Sequence, residues 1–160
     1  MIRDLRLRAL RSDPSAFGST YEKEAAYSEQ EWRDWASGDE AGDQDATLIA
    51  RLAAEPVGMV AAYRDEEDRS LFHVVAMWVA PEARGAGIGR LLLREIEAWI
   101  RSCGGTTVQL SVTSVAVAAR QLYASAGYEP DGVEFESRHT PGLIEVSLTR
   151  SLSDPSPNDM

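Results

Sequence analysis

The stretch Met77-Trp78-Val79-Ala80-Pro81-Glu82-Ala83-Arg84-Gly85-Ala86-Gly87-Ile88-Gly89-Arg90 carries the chemistry that residue type and spacing can reveal. An apolar strand runs into a glycine-rich turn, and the turn opens a long amphipathic segment. The first N–H groups of a helix have no partner within it. Glycines let a ligand approach the backbone, and the helix dipole favours negative charge at that end. The pattern predicts an anion site over Gly85, Ala86, Gly87, Ile88, Gly89 and Arg90, most naturally for a pyrophosphate. Arg84 and Arg90 would add charged hydrogen bonds. A Walker turn is excluded, because no Gly-Lys-Ser/Thr follows the glycines. The dinucleotide spacing Gly-x-Gly-x-x-Gly also fails, since Gly85 and Gly87 would need a glycine where Arg90 stands.

Arg84-x-x-Gly87-x-Gly89 resembles the Arg/Gln-x-x-Gly-x-Gly/Ala turn of the GCN5-related N-acetyltransferase superfamily. Its context resembles the family too. Trp78-Val79-x-Pro81 precedes it, and Ala119-x-x-Leu122-Tyr123-x-x-x-Gly127-Tyr128 follows the helix and a strand. That last run is similar to the family's Ala-x-x-Leu-Tyr-x-x-x-Gly-Phe. Motifs cover about residues 45–150, and the fold class alone extends to 1–44.

The resemblance implies an N-acetyltransferase that passes acetyl directly from acetyl-CoA, its cosubstrate, to a primary amine of a small molecule or peptide, without a metal. It implies that the strand Leu71–Val79 splays from Val108–Val112 and that acetyl-CoA enters the gap. Met77 and Val79 would bond the pantetheine through their backbones, and residues 85–90 would hold the pyrophosphate. Tyr123 stands where the family places its tyrosine acid. A phenol of pKa ~10 is a poor match for protonating a thiolate of pKa ~8.5, so a hydrogen bond suits it better.

Two positions depart from the family pattern. His73 stands where many members carry a glutamate, and Ala116 where many carry an asparagine. His73 reads either as the general base, with an ordinary pKa of ~6.5, or as a packed strand histidine. Plain alternation would put His73, Val75, Met77 and Val79 on one face, and Val74, Ala76 and Trp78 on the other. The departures keep a second reading open, a non-catalytic acyl-CoA-binding module of the same fold. A nucleotide-binding α/β protein is the third.

The elements that must position these residues follow from period and punctuation. Ile2–Leu10 reads as a helix stopped at Asp13-Pro14. Residues 14–26 are helical in composition and broken by Gly18. Ser28-Glu29-Gln30-Glu31 is a capping box before Trp32 and Trp35, which read as core or rim. Gly38–Asp45 reads as a loop. Strands are expected at 47–52 and 57–63, with Glu55-Pro56 as their turn, and at Leu71–Val79. Ile88–Cys103 is the clearest helix. Ile88, Leu92, Ile96, Trp99 and Cys103 form its apolar stripe, with Arg90, Arg94, Glu97 and Arg101 away from it. A strand at 108–112, a helix at 117–126 and strands at 133–137 and 144–148 complete the pattern. The fold class is α/β (α+β), one mixed, mostly antiparallel sheet with helices on both faces. Members of the superfamily usually open with a strand. This chain starts almost at a helix, so that strand is expected to be missing unless Met1 is not the true start. Phe17, Tyr21, Glu22 and Glu24 fall in the region that lines the acceptor pocket in the superfamily. The two glutamates also read as a solvated face.

At 160 residues, the chain predicts one domain over 1–150 and a disordered tail over 151–160. The single Cys103 excludes an internal disulfide, and with only His73 and His139 beside it a structural metal is not expected. No apolar run approaches the roughly 18 residues of a membrane span. The charged N-terminus is not a signal peptide, so a cytoplasmic protein is expected, compatible with a homodimer. Sixteen basic against 26 acidic residues give a net charge of −10. That excludes a general nucleic-acid binder and favours a neutral or cationic acceptor amine over an acidic one.

Overall fold

The computed structural model describes residues 2–17, 19–37, 42–138 and 140–153. The first helix, α1 (Ile2–Ser12), stops before Pro14, which opens a short 3-10 turn over Pro14–Ala16. The expected helix at 14–26 is reduced to that turn and α2 (Tyr21–Ala25), with Gly18 outside the described residues. The Thr20 hydroxyl caps α2 by accepting from Lys23 N at 3.2 Å. The capping box holds at α3 (Glu29–Ser37). There Ser28 N donates to Glu31 Oε2 at 2.6 Å, and Glu31 N donates to Ser28 Oγ at 3.1 Å. The expected loop that follows lies partly outside the described residues, and Asp45 already belongs to the sheet.

Six strands form one sheet: β1 (Asp45–Leu52), β2 (Glu55–Arg64), β3 (Leu71–Val79), β4 (Thr107–Thr113), β5 (Glu129–Glu136) and β6 (Ile144–Ser151). Their order is β1-β2-β3-β4-β6-β5. Helix α4 (Ile88–Ser102) crosses from β3 to β4 and makes them the parallel pair, and the remaining pairings are antiparallel. Helix α5 (Val117–Ser125) joins β4 to β5. Among the described residues no strand precedes α1.

Each face of the sheet is covered. On one face Phe72, Val74, Val108 and Leu110 pack with Leu92, Leu93, Ile96 and Ile100 of α4 and with Tyr123 of α5. On the other, Leu5, Ala9 and Leu10 of α1 pack with Val57, Met59 and Trp78.

Three local expectations are corrected. The hairpin turn between β1 and β2 is Ala53-Ala54, both at positive φ, not Glu55-Pro56. A two-residue loop with both residues left-handed matches strand twist, and Pro56 is tolerated near the start of its strand. The strand expected at 133–137 starts earlier, at Glu129, with a register shift between Pro130 and Glu134. The final strand runs to Ser151 and Leu152 is buried, so Ser151 belongs to the sheet and Leu152 to the core rather than to the tail. Residues 154–160 of that tail lie outside the described residues.

Helix α4 buries Glu97, which periodicity placed on the solvent side. Glu97 Oε2 accepts from Tyr128 Oη at 2.8 Å and from Arg150 Nη1 at 2.6 Å. An acidic group this deep is tolerated only with such partners. Glu97→Ala should therefore lower stability by about 3–5 kcal/mol, because it leaves the Arg150 charge without its carboxylate. Tyr128→Phe should cost about 1 kcal/mol. Chemical denaturation of the purified variants measures both.

Candidate functional site

The parallel ladder between β3 and β4 is short. Leu71 pairs with Thr107, Phe72 with Val108 and His73 with Gln109, and pairing stops there. Beyond it the strands diverge into a wedge. The register of β2 against β3 shifts in the same region: Met59 faces Trp78, but Ala61 faces Val75. Ala76 and Met77 therefore stand opposite one residue, Val60, which makes a β-bulge, and Ala76 has φ 56°. A left-handed alanine costs about 1–2 kcal/mol, a strain that concentrates at functional sites.

The bulge overturns the plain alternation. Met77 returns to the α4 face with Phe72 and Val74, while His73 and Val75 lie on the opposite face. His73 and Met77 are thus on different faces, yet both line one cleft of about 740 Å³ that passes through the wedge. His73, Tyr63 and Thr47 line it from one side, Leu110 and Tyr123 from the other, and Arg6, Phe17, Ser19 and Trp35 close it from the helical front.

His73 sits between two neighbours. Its Nε2 lies 2.7 Å from Asp65 Oδ1, and its ring stacks on Tyr63 with centroids 4.9 Å apart. The other Asp65 oxygen accepts from Glu67 N at 3.0 Å and Asp68 N at 2.9 Å. The His73 hydrogen bond, then those backbone bonds, hold the Asp65 carboxyl below its usual range. Tyr123 is buried, and desolvation pushes its phenol up to about 12. Its hydroxyl makes no hydrogen bond among the described residues. Glu145 of β6 also lines the cleft, and burial raises its carboxyl above the usual range.

The glycine turn stands where β3 leaves the sheet. Gly85 and Gly87 have φ 85° and 82°, with open space where a side chain would be. Gly87 is the N-cap of α4, and no side chain caps the helix. The first bond across the helix start is Leu91 N to Gly87 O at 3.0 Å, so the N–H groups of Ile88, Gly89 and Arg90 lie ahead of it. Gly89 serves packing: a Cβ there would stand 3.3 Å from Leu122 of α5.

The arginines of the motif divide. Arg90 reaches Ser125 Oγ at 3.0 Å, across the start of α4 to the end of α5. Arg84 turns back: its Nε donates to Val79 O at 2.9 Å and its Nη2 to Asp13 Oδ2 at 2.8 Å. The same Asp13 oxygen accepts from Trp78 Nε1 at 2.8 Å. Burial would raise the Asp13 carboxyl, but the bonds from Trp78, Ser12 and Arg84 outweigh it and hold it low. The guanidinium of Arg84 is thus committed to Asp13 and the strand, and it occupies the Val79 carbonyl expected to face a ligand. Met77 lines the cleft, whereas Val79 packs beside it.

Of the four residues singled out in the helical front, Phe17 lines the cleft. Tyr21 instead accepts from Arg11, Glu22 is exposed, and Glu24 is buried against Arg6. Ala116 caps α5 without a side-chain bond. Sequence reasoning missed Asp65, Glu145, Arg6 and Ser19. Asp65 lies eight positions before His73, across a turn whose closure no local pattern specifies. The described residues assemble no group of three or more metal-ligating side chains. None of their helices is long and apolar enough to cross a membrane.

The chain has counterparts among known proteins. N-acetylaspartate synthetase of Xenopus tropicalis is 33% identical over 102 residues, 64% of this chain. The chain spans 37% of that relative's length. Two solved structures share the fold. The ribosomal-protein-alanine N-acetyltransferase of Brucella melitensis superposes with a TM-score of 0.73 at 20% identity, covering 94% of both chains. A GCN5-related N-acetyltransferase from Kribbella flavida gives 0.71 at 23% identity, covering 91% of this chain and 89% of the other. A model of the acetyltransferase (GNAT) family matches residues 6–128, from α1 through the Tyr123-to-Tyr128 run. The chain belongs to the GNAT family of acetyltransferases.

Proposed function

We propose that this chain transfers the acetyl group of acetyl-CoA to a primary amine of a small molecule, with an amino acid as the favoured acceptor class. The observation that carries the reading is the wedge between β3 and β4. It brings His73 and Tyr123 into one cleft and lies beside an uncapped helix start. The name N-acetylaspartate synthetase, borne by the relatives, supports an amino acid over a protein acceptor.

The residues present fit acetyl-CoA. The open left-handed glycines and the uncapped N–H groups of Ile88, Gly89 and Arg90 suit a pyrophosphate. Met77, on the wall of the wedge, suits a chain lying along the strand edge. Arg84 contributes through its backbone and by bracing the turn against Asp13, and Arg90 offers the nearer cation. When bound, acetyl-CoA supplies a thioester whose carbonyl carbon an amine can attack.

His73 receives the acceptor's proton. Asp65 is an ionised carboxylate, so it holds the proton on Nε2, and Nδ1 keeps the lone pair. That nitrogen takes the proton from the ammonium, directly or through a water. Tyr123 stays protonated, since burial lifts its phenol to about 12. It acts by donating a hydrogen bond to the departing sulfur rather than by giving up its proton. The raised carboxyl of Glu145 favours a second reading in which Glu145 is the base.

Two measurements test the assignment. Calorimetric titration should show acetyl-CoA binding that Gly87→Trp weakens well beyond its loss of stability, because the side chain needs both the open space and a positive φ. Unchanged affinity in a folded variant would sink the turn as the pyrophosphate site. Thiol release with an amine panel should fall about 10²–10⁴-fold in His73→Ala. Asp65→Asn should move in the same direction by less. Tyr123→Phe should lower kcat with little effect on acetyl-CoA affinity. Full activity in His73→Ala together with a collapse in Glu145→Gln would make Glu145 the base. Acetyl-CoA binding with no thiol release from any amine would make the chain a binding module.

A further inference from the structure

Arg6 is the cation at the heart of the helical front, with a side chain only 9% exposed. Its Nε and Nη2 donate to the two Glu24 oxygens, each at 2.9 Å. That pair uses one edge of the guanidinium fork and ties α1 to α2. The plane is steadied by the Phe17 ring, 4.6 Å away, and the Trp35 ring, 5.8 Å away. Among the described residues the remaining nitrogen, Nη1, is buried without an acceptor, and Ser19 Oγ is buried without a partner. Both residues line the cleft that holds His73. Buried donors left unmade are costly, and a group reaching both of them from the cleft would offset that cost.

We infer that Arg6 Nη1 and Ser19 Oγ receive a carboxylate of the acceptor, which makes the acceptor an amino acid rather than a simple amine or polyamine. The inference rests on the acetyl-transfer reading above and assigns the part of that site which reads the acceptor. A guanidinium matches the planar carboxylate, and a hydroxyl supplies a second donor. Glu24 already offsets one unit of charge on Arg6, so the contact acts by direction more than by net attraction. Glu24 also fixes the fork, so little rotamer freedom is lost on binding. The ammonium end of the same molecule is left for His73. The overall charge of −10 favoured a neutral or cationic acceptor, but the field that matters is that of the cleft wall. There Arg6 and the exposed Arg138 share the wall with Asp34, Asp45 and Glu145, so a carboxylate would be read by the direction of the Arg6 and Ser19 donors and not by a net positive field.

Thiol release from acetyl-CoA should be compared for L-aspartate, L-alanine and L-lysine against ethylamine and cadaverine. At least one amino acid should exceed the simple amines by about 10–100-fold in kcat/KM. Arg6→Gln should bring that ratio towards one, mainly through KM. Ser19→Ala should reduce it as well while leaving the Arg6–Glu24 pair in place, which keeps the test valid if Arg6→Gln fails to fold. Equal use of both classes by the wild type overturns the inference. So does an unaltered ratio in Ser19→Ala and in folded Arg6→Gln, which would leave the two donors to ordered water. Calorimetric titration of the same amino acids, with and without CoA, separates this from the catalytic reading. Binding that weakens in Ser19→Ala upholds the carboxylate site even where no acetyl moves. Absence of binding by any of the amino acids overturns it.

Discussion

The arrangement depends on a ladder that ends early. Parallel strands pair through evenly spaced bonds, and nothing in a two-strand contact stops that pairing except geometry. Here the geometry is an alanine held at φ 56°. The extra residue at Ala76 bends β3 and re-aims its side chains, and past His73 its backbone no longer meets that of β4. Backbone groups that lose their neighbours inside a sheet must find others. At the end of β3 the Val79 carbonyl finds Arg84 Nε in place of a strand partner. Strand ends in such sheets are where ligands lie, and the chain leaves β3 there to begin α4.

The remainder of the molecule holds this opening in place. One core clamps α4 and α5 on one face, and the other clamps α1 on the opposite face. The buried Glu97–Tyr128–Arg150 cluster joins α4, the segment after α5 and β6. It thereby fixes the end of the helix that carries Tyr123. On the far side, Asp65 and Tyr63 grip His73 from the strand-turn-strand unit that precedes it. Phe72 and Val74, on either side of His73, share one hydrophobic layer with Tyr123, so both walls of the cleft rest on the same core.

Much of this was legible before any coordinates. The glycine turn and the strands and helices around it announce themselves through local chemistry: a helix start without a cap, a period that changes from two to 3.6, a capping box closed by Glu31. What was hidden is of a different kind. Periodicity put Glu97 in water, because a lone acid on a helix says nothing of a tyrosine and an arginine arriving from distant strands. Alternation put His73 and Met77 on one face, because one added residue in a strand has no composition of its own. Ala53 and Ala54 make a turn that favours glycine or asparagine, so the nearby proline drew attention instead. Arg6 meets Glu24 across 18 positions and Asp65 meets His73 across 8, and only the closed fold makes these pairs and sets Arg6 and Ser19 on one cleft wall.

The bond from Arg84 to the Val79 carbonyl gives the edge of the wedge an occupant of its own. A side chain that bonds this carbonyl satisfies an acceptor that no neighbouring strand reaches. The bond also makes the Arg84 guanidinium a competitor for any other donor to the same oxygen. Because the same guanidinium is tethered through Asp13 to the indole of Trp78, giving up the carbonyl would be felt at the junction of α1 with the sheet. Asp13 thus ties the glycine turn and β3 to the end of α1, so a shift at the turn is carried to the helical front.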